Sequence, residues 1–166
     1  VAFACSQFLH ILMDEVNGVC LPKNPAERGL FLTIKLPVVR SQLLEILSSS
    51  LDECMNMSSE TSRKQAEKII CDFKIPQLCL SYCQSEAVSQ AAFDLYENVV
   101  LPLPNEVMGE LLLSDKSSLV ALFALVTGQN NCIPDVEHSK NTFASTLGNL
   151  ATAGLLSSAV ERFGVR

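Results

Sequence analysis

Cys79 and Cys83 stand four residues apart in IPQLCLSYCQ, a spacing that puts two thiols on one helical face and could supply two corners of a zinc tetrahedron. Cys132 and His138 add a C-x5-H pair, but nothing in the sequence brings the two pairs together. The seven cysteines are odd in number and scattered along apolar stripes. They read as reduced core thiols, cysteine being among the most buried residue types, and neither metal nor cofactor is expected. His10, between Leu9 and Ile11, reads as a packed or surface histidine, and Asp14-Glu15 and Asp52-Glu53 as solvated faces. With two histidines, no glycine-rich phosphate loop, no nucleophile elbow and no carboxylate pair in apolar surroundings, no catalytic constellation is present and no enzyme is expected.

The elements that would position any such residues are helical. The chain has 166 residues, 48% of them hydrophobic, with no Trp and few aromatics, which favours helices packed on aliphatic stripes over a sandwich of aromatic cross-strand pairs. That length buries roughly 70% of the unfolded surface without metals or disulfides. Apolar residues from Val1 to Val16 trace a first helix closed by Asn17-Gly18, and Asn24-Pro25 opens a short second one through Ile34. Pro37 opens a longer helix to about Met57, with Val39, Leu43, Leu44, Ile46, Leu47 and Leu51 inward and a soft spot at Ser48-Ser49-Ser50. Ser58 or Ser59 caps a helix from Glu60 to Phe73. Pro76 begins another that ends near Gln84, and Ser85 is the expected cap of the next. Leu101-Pro102-Leu103-Pro104 makes a stiff stop. Helices then follow over 105–113, 117–127 and 134–151, the last two separated by a long loop from Gly128 to Ile133.

Ile75-Pro76 and Leu78, a short apolar helix, Ser85, Val88 and Ala91-Ala92, then Leu95, Asn98 and Val99 together resemble the second and third helices of an armadillo repeat. Ala144, Leu147, Asn149-Leu150-Ala151, Gly154-Leu155-Leu156 and Ala159-Val160 resemble a further third helix running on into the next unit. The resemblance implies an all-α, right-handed solenoid of armadillo or HEAT type, the alternative being a closed helical bundle. It divides one helical domain into N-terminal helices over 1–57, a repeat over 58–102, a repeat with a loop insertion over 103–154, and the start of another over 155–166. Asn98 and Asn149 are 51 residues apart, against roughly 40 to 47 in regular arrays, hence the insertion.

In armadillo proteins the third helices line a concave face, where an asparagine amide can donate to a peptide C=O and accept from its N–H. The resemblance therefore implies a protein-binding row of Asp94, Asn98, Ser145 and Asn149. Arrays that read basic localisation peptides place tryptophan where this chain has Asp94 and Ser145, so nuclear-import adaptor activity is not expected. The expected function is a non-catalytic interaction scaffold that holds a protein or extended peptide and stacks on flanking repeats of its own chain. The alternative is a closed helical domain that binds a small apolar ligand or regulates an attached enzyme. A formal charge of −6 without a basic run disfavours nucleic acid and suits a partner with a basic segment. No signal peptide or membrane span is read. Val1 lacks a preceding methionine, so a piece of a longer cytoplasmic or nuclear protein is expected, despite the triplet Asn56-Met57-Ser58 that could accept a glycan.

Overall fold

A computed structural model describes residues 36–164, and the expected helices over 1–17 and 25–34 lie outside them. Among the described residues all regular structure is helical. Helix α1 (Pro37–Asn56) starts at the proline, whose missing N–H costs nothing in a first turn. It runs unbroken through the three serines. Ser48 faces inward at 4% exposure beside Leu44, Leu47 and Leu51, and its hydroxyl accepts a bond from the Asn98 amide at 3.2 Å, so the residue expected to soften the helix ties it down. Ile46, expected inward, is 56% exposed. Two residues on from Leu44 is about 200° round the helix, so the two cannot share a face.

Ser59 accepts from the Ser62 N–H and caps α2 (Glu60–Asp72), which buries Ala66 and Ile70 and keeps a Lys64–Glu60 pair in solvent. Lys74, left-handed at φ 49°, then turns the chain into α3 (Ile75–Cys83). Helix α3 is the pivot of the core. Ile75, Pro76, Leu78, Cys79, Leu80, Tyr82 and Cys83 are all buried, so the helix is apolar nearly all round and must be surrounded. It packs against α2, α4 (Ser89–Leu95), α5 (Asn105–Leu112), α6 (Lys116–Thr127) and the π-helix Tyr96–Val100.

Ser85 does not cap α4. Its N–H bonds Tyr82 and its C=O accepts from Val88, so residues 85–88 form a turn and the helix begins three residues later than expected. Two further helices, α7 (Val136–Thr152) and α8 (Leu155–Phe163), complete the described chain, separated by Gly154 at φ 75°. Helix α1 lies on α4 and the π-helix, α6 on α7, α3 on α6, and α5 on α8.

The loop after α6 is fastened rather than free. Gly128 and Asn130 take left-handed conformations at φ 82° and 57°, which glycine and asparagine tolerate best. The Asn131 amide donates to Leu125 C=O and Ser139 Oγ, while its oxygen accepts from the Ile133 N–H. Cys132 then bonds the α3–α4 corner three ways: its N–H to Cys83 C=O, its thiol to Gln84 C=O, and its C=O from the Ser89 hydroxyl. Ile133 is 1% exposed. The connection between α6 and α7 is thus clamped to the α3–α4 corner.

Asp115 caps α6, accepting from the Ser118 N–H at 2.7 Å and the Ser117 hydroxyl at 2.8 Å. Partial burial pushes its carboxyl up, but those bonds and the charge of Lys74 outweigh it and hold the group below its ordinary value. A depressed carboxyl stabilises the fold above its unfolded pKa near 3.8, and that contribution is lost as pH falls through the lower folded value. Asp115→Ala should cost about 1 kcal/mol near neutral pH. Urea titrations of both proteins should show the difference shrinking once the pH falls well below 3.8.

Candidate functional site

The chain commits a polar cluster to the seam where the π-helix meets α7. A π-turn admits an extra residue per turn and often marks a working position. Here Tyr96–Val100 follows directly on α4, and the Leu101 N–H reaches back to Tyr96 C=O at 2.9 Å. Successive side chains leave this turn in three directions. Tyr96 points inward at 0% exposure, its hydroxyl bonded to Thr146 Oγ1. Glu97 meets α7, where one carboxylate oxygen accepts from His138 Nε2 and, at 3.3 Å, from the Thr142 hydroxyl. Asn98 reaches the other way, to Ser48 of α1. A single turn therefore links three helices.

Below this polar layer lies an aromatic one. Phe93 and Tyr96 stand against Phe143 with ring centroids 5.7 and 4.9 Å apart, and the edge of His138 meets Phe93 at 5.6 Å and 83°. Burial pushes the Tyr96 phenol well above its ordinary range, although the bond to Thr146 works the other way, so it stays neutral at physiological pH. Burial does the same for Cys79 and Cys83, which therefore remain thiols in the core. Cys132 turns its sulfur to Gln84 and Asn130 while His138 turns to Glu97, so the C-x5-H pair does not converge. Among the described residues no group of three or more potential metal ligands gathers.

Asp94, Asn98, Ser145 and Asn149 are all exposed, on α4, the π-helix and α7, which the Glu97, Tyr96 and Phe93 contacts join. Their engagement differs. Asp94 accepts from Gln90 at 2.8 Å and Ser145 donates to Asn141 C=O at 2.9 Å, so both have local partners. Asn98 spends one amide N–H on Ser48, keeping its second N–H and its oxygen for solvent or a ligand. The Asn149 side chain is bonded to no described residue and stands one turn beyond Ser145. Around it Asn141, Ala144, Gly148 and Thr152 make the outer face of α7 small and polar, so a backbone can approach closely.

Sequence reasoning missed Glu97, His138 and Thr142. His138 was read only beside Cys132, and no local pattern marks a pairing between residues so far apart in sequence. Comparison of the chain with protein-family models, with curated proteins and with solved structures finds no match.

Proposed function

We propose that this chain is a non-catalytic protein-interaction scaffold, a stack of armadillo- or HEAT-like helical units that holds an extended peptide segment along Asp94, Asn98, Ser145 and Asn149. The observation that carries this reading is the lateral joining of α4 and its π-turn to α7 through Glu97, His138, Thr142, Tyr96 and Thr146, which leaves both asparagines exposed and with amide capacity to spare. Three rows of contacts support a stack over a closed bundle. Helices α1, α4 with its π-turn, and α7 follow one another as third helices would; α3 on α6 is the matching pair of second helices, and α5 on α8 a pair of first helices. The amide of each asparagine can donate to a peptide C=O and accept from its N–H, which gives affinity without reading side chains. An exposed, polar, unenclosed surface suits an extended backbone better than a small apolar ligand, whose sites are concave and mostly apolar.

Asn98→Ala/Asn149→Ala tests the reading. Affinity-purified wild-type protein should crosslink a partner along 86–100 and 136–151, and the double variant should lose that partner with its helical circular dichroism unchanged. Capture that survives both substitutions would remove the asparagines from the site. Small-angle scattering supplies an independent check, because a stack should exceed the radius of gyration of about 15 Å expected of a compact domain of this length.

A further inference from the structure

A second surface, sharing no residue with the row on α4 and α7, lies between α5 and α8. Glu106, Gly109 and Glu110 on α5 with Leu113 at its C-cap, and Leu155, Ser158, Ala159 and Arg162 on α8, follow the same i, i+3, i+4, i+7 pattern, so each helix turns one face to the other. The two approach most closely at Gly109, where a Cβ would come within 2.7 Å of Leu155 Cδ1. Beside that contact the faces diverge into an open groove of about 520 Å³. Its volume falls within the roughly 300–1,000 Å³ of ligand-binding clefts.

The charge along this groove is lopsided. Glu106 and Glu110 are exposed one helical turn apart, and the ion pairs among the described residues, Lys64–Glu60, His138–Glu97 and Lys140–Glu137, include neither. Like charges at this spacing repel each other. Arg162 keeps its charge on the opposite wall but is directed elsewhere, its guanidinium donating to Leu113 C=O and lying 4.4 Å over the Phe163 ring, and no ion pair joins it to either carboxylate. The field extends towards α2, where the Cys71 thiol is pushed up first by burial and then by Glu110, Glu67 and Asp72. Two carboxylates with no ion-pair partner among the described residues, against one arginine, thus border an apolar floor of Gly109, Leu113, Leu155 and Ala159.

We propose that this groove docks a peptide segment of a partner protein that carries a lysine or arginine next to small aliphatic side chains. The aliphatic groups cover the floor, and the cation sits between Glu106 and Glu110, relieving their repulsion. A long basic side chain suits the place, since its methylene stem lies on apolar surface while its head reaches the carboxylates. Neutral or acidic segments gain only the floor.

The test uses a fluorescein-labelled Lys/Leu/Ala peptide and its Glu/Leu/Ala counterpart, titrated into the 166-residue chain at physiological salt. Saturable binding of the basic peptide alone is expected, with amide shifts at Gly109, Leu113 and Ala159. Glu106→Gln/Glu110→Gln should weaken it about fivefold or more, while Glu45→Gln/Glu53→Gln, an equal charge change on α1, should alter it less than about twofold. Equal weakening by both pairs would reduce the effect to net charge and overturn the proposal. So would shifts centred elsewhere, absence of saturable binding, or concentration-dependent self-association abolished by the α5 pair, which would make a second copy the occupant. Because none of these residues belongs to the asparagine row, Asn98→Ala/Asn149→Ala should leave this affinity unchanged, so the two surfaces fail or stand separately.

Discussion

Phe143→Ala should lower stability by about 3–5 kcal/mol, the range for deleting a fully buried aromatic ring. The ring is 0% exposed and lies between Phe93 and Tyr96, so its removal opens a void on the seam that joins α7 to α4 and the π-turn. No neighbour can fill it cheaply. Tyr96 is held by its bond to Thr146, and Phe93 by the edge contact with His138, so collapse of either ring would break a second interaction. The damage should be uneven. In a stack whose units touch only their neighbours, losing one interface frees the unit on its far side while the rest persists. Hydrogen exchange should then show α6, α7 and α8 opening well before α1, α2 and α3. Uniform acceleration along the chain would instead describe a single cooperative core and weaken the stacked reading. Phe143→Leu, which keeps much of the volume, should recover most of the loss.

What the residues announced and what they hid divide along a physical line. Helix starts were legible where a single residue fixes local geometry: Pro37 opens α1, Ser59 caps α2, and Pro76 lies in the first turn of α3. The stop at Pro102 and Pro104 belongs to the same class. Errors arose where tertiary contacts choose between local options. Ser85 has the chemistry of a cap, but the Ser89 hydroxyl is drawn to Cys132 C=O and the chain turns first. Ile46 was assigned inward by its type alone, against its helical phase relative to Leu44.

The polar residues follow the same division. Exposure of Asp94, Asn98, Ser145 and Asn149 was within reach of helical phase, because each falls opposite a buried stripe. The bond from Asn98 to Ser48 was not, since it depends on how α1 lies across the π-turn. The π-turn itself has no sequence signature. It puts Glu97 against His138 and Asn98 against Ser48 in consecutive positions, directions that a regular helix would also separate by only about 100°. The clamp at Asn131–Ile133 was visible only as a long loop, and its bonds to the α3–α4 corner depend on tertiary contacts that the sequence does not display.

Leu78→Ala should produce a loss of similar size and opposite distribution. Leu78 is 0% exposed on α3, the helix that touches α2, α4, the π-turn, α5 and α6. Leucine-to-alanine changes at such sites cost about 2–5 kcal/mol, and the upper part of that range applies where the walls cannot relax. Helix α3 is that kind of wall. Its Pro76 start and left-handed Lys74 entry fix one end, and Cys83 C=O is bonded to Cys132 N–H at the other, so it cannot slide to fill the cavity. Because α3 touches all of these helices, exchange should rise together in α2, α4, α5 and α6, and urea unfolding should keep one transition with a lower midpoint. Comparison with Phe143→Ala then separates two kinds of position. One holds neighbouring units together, so its loss splits the chain; the other belongs to every neighbour at once, so its loss weakens the whole. If both variants give the same exchange pattern, α7 is as central as α3 and the units do not open independently.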